Sequence, residues 1–317
     1  MRIALCLLLA LAAVSSPGCG GESGGAGKGT PRDVTLALDF QPNPVHAGIF
    51  TAIDDGLDRR EGIRLKLRTP SASTDSLKLL TARRSDFSVV DIHDLGLARE
   101  RGQDVVGVGA VVQRPLAAVI ARGGIRRPRQ LEGQRVGVTG VPSDEAVLKS
   151  VVRADGGDPA KVRTTTIGFA AVPSLAAGKV DAVVTFWNAE GVALRERGVR
   201  THEFRVDRYG APRYPELVLV ARRETVQRDP KLVRRVVAAL RQGTEAARAD
   251  LTGASAAITR RAQGSRKLTD AQLRAVAPAF SPALRLDRRA LEGWAAFDKR
   301  FRILERKPSV DRAFALR

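Results

Sequence analysis

The chain has 317 residues, enough for two medium domains or one large one, and its 44% hydrophobic content allows a sizeable core. Its formal net charge is +19, carried mostly by arginine. That charge suits a surface meeting nucleic acid or anionic lipid, or an arginine-rich bias spread over solvated helix faces. The basic pairs are dispersed (Arg83-Arg84, Arg234-Arg235, Arg260-Arg261) without interleaved aromatics, which favours the second reading and leaves no nucleic-acid partner expected.

Residues 1–18 read as an export signal. Arg2 supplies a basic start, and Ile3 to Val14 is an apolar run too short to span a bilayer. Ser15, Ser16, Pro17 and Gly18 lead into Cys19, an ending that resembles a bacterial lipoprotein signal with Cys19 as the lipidated mature terminus. Ser16 and Pro17 depart from the usual pattern, and an ordinary secretory cleavage is the other reading. Residues 19–32 then form a lipid anchor and a Gly/Ser-rich tether. The expected location is extracytoplasmic, on the membrane of a bacterial cell. The other cysteine is Cys6, so no disulfide, cysteine metal site or thiol nucleophile is expected beyond Cys19.

After the tether, strand and helix patterns alternate. Val34–Phe40 reads as a strand, 47–60 as a helix, Ile63–Arg68 as a strand, 73–82 as a helix, 87–90 as a buried strand, 95–102 as a helix and Val105–Val112 as a strand. This is the rhythm of a parallel sheet covered by helices. A second unit follows. It has an apolar run at 115–121, a strand at 135–139, a helix at 143–154 capped by Ser143, and a strand at 162–167. A helix at 170–177, a strand at 180–186 and a helix at 189–198 complete it. Leu217–Ala221 looks like a strand returning to the first unit. Helices close the chain at 231–249 after Asp229-Pro230, at 269–277 from a Thr269/Gln272 capping box, and at 288–301. The implied fold class is α/β and two-lobed. An outer lobe of 33–112 plus 213–317 receives an inserted lobe of 113–212, hinged at two crossings near 113–116 and 210–217.

Candidate ligand contacts sit at strand ends. Phe40 either stacks on a heteroaromatic ring or closes the strand as a core residue. Asn43 either offers an acceptor and donors in one plane to a small planar polar molecule or holds the turn between two prolines. His46 bonds a ligand or caps the next helix. Asp91 and His93 follow a strand end and line a cleft or a solvated loop. Gly137 to Glu145 is a strand-loop-helix junction where Gly140 and Ser143 suit ligand approach. Asp144 and Glu145 argue there against a strong anion, and the missing GK[ST] ending excludes a P-loop. Phe186, Trp187 and Glu190 end another strand, with Asn188 as a candidate cap. Glu190 is placed to accept from an exocyclic amine, or is an ordinary acidic first-turn residue.

Four segments in this order, LDFQPNPVHAGIF, GVTGVPSDEAVLK, VPSLAAGKVDAVVTFWNAEG and FRVDRYGAPRYPELVLVA, carry a family resemblance. Together they resemble the solute-binding lipoproteins of ABC importers that collect thiamine-precursor pyrimidines, within a superfamily that holds pyrimidine synthases and alkanesulfonate-binding proteins. The resemblance covers about Val34 to Ile258. It implies a type II periplasmic-binding-protein fold with the ligand in the interlobe cleft. It also implies a heterocyclic ligand, permease subunits as partners, no catalytic or metal residue and no cofactor. Many relatives carry Trp where Phe40 stands, and they place a ligand-contacting aromatic and glutamate at the Trp187–Glu190 segment. The synthases carry a cysteine-rich iron motif, which this chain lacks after Cys19. A different solute, such as riboflavin, another heterocycle or an alkanesulfonate, is the alternative within the transporter class.

Overall fold

The computed structural model describes residues 30–71, 75–262 and 264–316. The export-signal and Cys19 assignments lie outside these residues. The chain opens with β1 (Arg32–Ala37), a tight turn at Pro44–His46, α1 (Ala47–Asp54) and α2 (Leu57–Arg60). β2 (Ile63–Arg68), α3 (Asp75–Thr81), β3 (Phe87–Asp91), α4 (Ile92–Glu100) and β4 (Val105–Val112) follow. It then crosses to β5 (Ala117–Arg122), β6 (Arg135–Val138), α5 (Pro142–Ala154), β7 (Arg163–Thr166), α6 (Ala171–Ala176), β8 (Ala182–Phe186), α7 (Glu190–Glu196) and β9 (Thr201–Arg205). It returns through β10 (Leu217–Arg222) into α8 (Arg223–Arg228), α9 (Pro230–Ala249), α10 (Leu251–Thr259), α11 (Arg266–Val276), α12 (Arg288–Arg300) and α13 (Val310–Ala313).

Two five-stranded sheets result, ordered β2-β1-β3-β10-β4 and β7-β6-β8-β5-β9. Neither is purely parallel, which corrects the parallel-sheet expectation. β10 runs antiparallel to β3 and β4, and β5 antiparallel to β8 and β9. The reversed strand in each sheet is the one by which the chain arrives from the other sheet. Such a strand enters at the end where its parallel neighbours finish, so it must run backwards.

Within the strands, side-chain alternation sorts residues between two cores. Leu217, Leu219 and Ala221 of β10 join one core with Leu36 and Phe50, while Val218 and Val220 join the other with Trp294. Ala118 and Ile120 of β5 go with the first, and Ala117, Val119 and Ala121 with the second. Both cores therefore run on through the two sheets. A further tie joins the sheets at the surface, where Gln272 Nε2 on α11 donates to the Ala189 carbonyl at 3.0 Å.

Several local expectations give way. The predicted helix at 47–60 breaks because Gly56 takes φ +67 between α1 and α2. Ser143 does not cap α5: Val141 is the N-cap with Pro142 at N1, which puts Ser143 inside the first turn. α11 begins at Ser265, whose hydroxyl accepts from Leu268 N, so Thr269 lies inside the helix. α7 is preceded by Ala189 in the cap position, and Asn188 is fully buried without a partner for its amide among the described residues. Asp229-Pro230 starts α9 as expected, with the carboxylate accepting from Leu232 N at 2.9 Å.

Candidate functional site

A cavity of about 130 Å³ opens between the two sheets. Its wall is assembled from the ends of β1, β3, β6, β7 and β8, the starts of the helices behind them, and the crossing before β10. An engineered apolar cavity of about 150 Å³ accepts a benzene ring, so the space suits one six-membered ring. Of the residues singled out from sequence, Phe40, Asn43, Asp91, His93, Ser143, Asp144, Phe186 and Glu190 line it. His46, Gly140 and Trp187 do not reach the wall.

On the first-sheet side, β1 ends at Ala37, short of the expected Phe40, and the freed residues turn into the cavity. Asn43 has its amide committed to the turn: Oδ1 accepts from Val45 N at 3.0 Å and Nδ2 donates to the Gln41 carbonyl at 2.9 Å. His46 is fully buried behind the wall. Its Nδ1 accepts from Asn43 N at 3.3 Å, which leaves Nε2–H to donate to Asp39 Oδ1 at 2.7 Å. His46 therefore orients a carboxylate that does line the cavity. Asp91 is the N-cap of α4, accepting from His93 N at 2.7 Å, and so ties strand end to helix start. His93, two residues further on, bonds Asp298 on α12 through Nδ1 at 2.6 Å and the Tyr214 hydroxyl through Nε2 at 3.2 Å.

On the second-sheet side, the glycine junction is already occupied by its own carboxylate. Asp144 accepts from Thr139 N and the Thr139 hydroxyl at 2.7 Å each and from Gly140 N at 3.1 Å. Gly140 adopts φ +101 to present that N–H. An anionic ligand would find those donors taken. Glu145, expected near the site, is exposed and paired with Lys149 at 2.8 Å. Trp187 is 7% exposed, its indole N–H donates to the Pro115 carbonyl, and the Arg205 guanidinium lies 3.8 Å over its ring. Its face is thus covered, and Phe186 turns toward the cavity in its place. Glu190 lies in the first turn of α7, where Phe186 N donates to Oε2 at 3.3 Å.

Among the wall residues that were not candidates drawn from sequence are three carboxylates and an exposed aromatic: Asp39, Asp94, Glu216 and Phe169. Phe169 follows Gly168, which holds φ +52, and it meets Phe40 edge-on across the cleft with ring centroids 4.4 Å apart. It is 40% exposed, the one large hydrophobic side chain so exposed among the described residues. Glu216 is buried at the second crossing and accepts from Leu116 N of the first at 2.5 Å. One carboxylate thus bonds the other hinge strand while facing the cavity. Asp39, next to Phe40, was the one of the four with a local signal; the others depend on tertiary proximity.

The wall carries six carboxyl groups, from Asp39, Asp91, Asp94, Asp144, Glu190 and Glu216, and no lysine or arginine among the described residues. Burial pushes Asp91 and Asp94 up to about 7, helped for Asp91 by Glu216 and for Asp94 by Asp91. Burial also raises Glu216, Glu190 and Asp144. For His93 burial acts the other way, but Asp298, then Asp91 and Glu216, overcome it and raise the imidazole to about 10. Such a wall can accept hydrogen bonds from ring amines and, where a carboxyl keeps its proton, donate one to a ring nitrogen. No group of three or more His, Cys, Asp or Glu side chains among the described residues is arranged to hold a metal ion.

The model of the family described as NMT1/THI5 like matches residues 43–253. A formylaminopyrimidine-binding protein of Halalkalibacterium halodurans is 34% identical over 203 residues, 63% of this chain and 62% of that protein. The match therefore spans about three fifths of the length of that curated relative. A 4-amino-5-hydroxymethyl-2-methylpyrimidine phosphate synthase of Legionella pneumophila is 25% identical over 215 residues, 66% of this chain and 67% of that one. Among solved structures, the alkanesulfonate-binding protein SsuA of Xanthomonas axonopodis pv. citri, bound to MOPS, superposes with a TM-score of 0.73 at 17% identity. That superposition covers 91% of this chain and all of the other, and it establishes the periplasmic-binding-protein fold.

Proposed function

Because this chain belongs to the NMT1/THI5-like family, we propose that it is the extracytoplasmic solute-binding component of an ABC importer and that its cargo is a thiamine-related aminopyrimidine. The observation that carries this reading is the single-ring cavity between the sheets, with an aromatic pair at one side and hydrogen-bonding carboxyls around it. An isoalloxazine is too large for about 130 Å³. A sulfonate would meet six carboxyl groups, no lysine or arginine among the described wall residues, a His93 already bonded to Asp298, and a glycine loop whose N–H groups Asp144 already holds.

Glu190 and Thr185 would read the exocyclic amine and ring nitrogen, and Phe40, Phe169 and Phe186 would enclose the ring. The two crossings near 113–116 and 210–217 would act as the hinge, with 33–112 plus 213–317 as the outer lobe and 113–212 as the inserted one. The closed form is what permease subunits would recognise, and lipidated Cys19 would hold the protein at the membrane. The role is capture without turnover.

Titration calorimetry of the purified protein against aminopyrimidines, thiamine, riboflavin and taurine tests the reading. Aminopyrimidine binding without riboflavin or taurine binding is expected, and the pyrimidine should be recovered unchanged. Tight taurine binding with no pyrimidine binding would sink it. Mass spectrometry of the mature N-terminus tests lipidation, which an unmodified terminus away from Cys19 would exclude.

A further inference from the structure

The formylaminopyrimidine named for one relative is uncharged and the hydroxymethylpyrimidine phosphate named for another is anionic, yet this cavity is lined with carboxyl groups. We infer that the cleft takes its heterocycle as a cation, an aminopyrimidine bearing a protonated alkylamine, and that Asp94 selects the charge. The inference rests on the pyrimidine reading above and adds the ligand's charge state to it.

Five of the six carboxyls on the wall already have hydrogen-bond partners. Asp39 receives His46, Asp91 caps α4, Asp144 holds the Thr139–Gly140 loop, Glu190 receives Phe186 N and Glu216 receives Leu116 N. Asp94 accepts no hydrogen bond from any described residue, although it lines the cavity in the first turn of α4. Its charged surroundings are Asp91 and His93 at the start of its own helix, Arg101 at the far end, and Asp144 from α5. Glu216 and Glu190 face the same space, while Asp298 on α12 and Tyr214 lie behind His93. The single cation on the wall, His93, is already bonded to Asp298. A neutral arm can offer Asp94 a hydrogen-bond donor but no opposite charge, which leaves an ionised carboxylate uncompensated in an enclosed space.

Burial keeps Asp91 and Asp94 partly protonated near neutral pH in the empty cavity. A protonated amine arriving beside them lowers their proton affinity, so binding should expel a proton: one positive charge replaces another. A position in the first turn of a helix also lets Asp94 complement the helix dipole. That role would not distinguish one ligand charge from another, and the experiment separates the two.

The probes are a 4-amino-2-methylpyrimidine with a 5-aminomethyl arm, its N-formyl amide and its 5-hydroxymethyl counterpart, titrated by calorimetry in buffers of different ionisation enthalpy. At about pH 7.5 the free amine should bind about tenfold or more tighter than either neutral compound, with net proton release, and the preference should shrink as the acids protonate toward about pH 5.5. Asp94→Asn should erase the preference and the proton release, with circular dichroism and a cooperative thermal melt showing that the variant is folded. Equal or tighter binding of the neutral compounds by the unaltered protein would overturn the charge assignment alone. An undiminished preference in Asp94→Asn would remove Asp94 from the role. Binding of none of the three would overturn the pyrimidine reading and this inference with it.

Discussion

Glu190 and Phe169 show how differently two wall residues announce themselves. Glu190 sits in a strand-end segment dense with polar and aromatic groups, and its first-turn position puts it at the cavity. It accepts from Phe186 N at the strand end and lines the cavity. Glu190→Gln should weaken aminopyrimidine binding by about 1–3 kcal/mol, read by calorimetry; unchanged affinity would leave it a structural residue. Phe169 has no such context. It lies in a short turn, and only the fold sets its ring against Phe40 from the opposite sheet. Phe169→Ala removes an edge-on contact of about 0.5–1.5 kcal/mol. Because the pair stands across the cleft, the loss should speed ligand association and dissociation together in stopped-flow traces. A change in dissociation alone would make Phe169 a stacking wall and not a gate. Asn43 and His46 were legible as unusual residues, but their side chains serve the turn and Asp39, an outcome that depends on backbone geometry after β1.

Among the elements, apolar alternation and caps were the readable part. β2 and β4 match their predicted bounds, and the Asp229-Pro230 start of α9 follows from local chemistry. β9 and α10 were not anticipated. β9 is half-buried and carries His202, Glu203 and Arg205, so its period is faint, and α10 is a small-residue helix defined by its packing on α1 and α11. The α1–α9 crossing shows the same dependence on packing. Gly48 and Gly243 bring the two backbones into close approach, and a Cβ added at Gly243 would overlap the Gly48 carbonyl oxygen and crowd Ala52. Gly243→Ala gains helix propensity yet should destabilise the protein by about 1–3 kcal/mol in denaturant titration, the range for overpacking a tight core. A stabilised variant would show that the helices separate at little cost.

At the scale of the whole molecule, a strongly positive chain encloses an acidic cleft, and the two respond to pH separately. Asp91 and Asp94 hold their protons more tightly when folded, at about 7 against an ordinary 3.8. Their contribution to stability is full below about 3.8 and is lost as pH rises through about 7. His93, raised from 6.5 to about 10, contributes fully below its ordinary value and loses that contribution on the way to about 10. Asp54 runs the other way: Arg261 and Arg260 hold it below the usual range against the opposing effect of burial, so its contribution fades only in acid. The melting temperature of the ligand-free protein should therefore fall between about pH 5 and pH 8, and Asp94→Asn should flatten that fall. A melting temperature that rises over this interval would contradict the buried acid cluster.

The features legible along the chain are properties of near neighbours. Alternation, helix starts, the α/β class and the segment order that marks the family all depend on residues within a few turns of each other. The cavity's charge does not. Asp39, Asp94, Asp144, Glu190 and Glu216 come from five separate stretches, and no local pattern shows that two crossings will bring them to face one ring-sized space. The same holds for direction within the sheets, since β5 and β10 are reversed only because each receives the chain from the other sheet. Burial then raises the acids, because desolvation is a property of the enclosed volume and not of the residue.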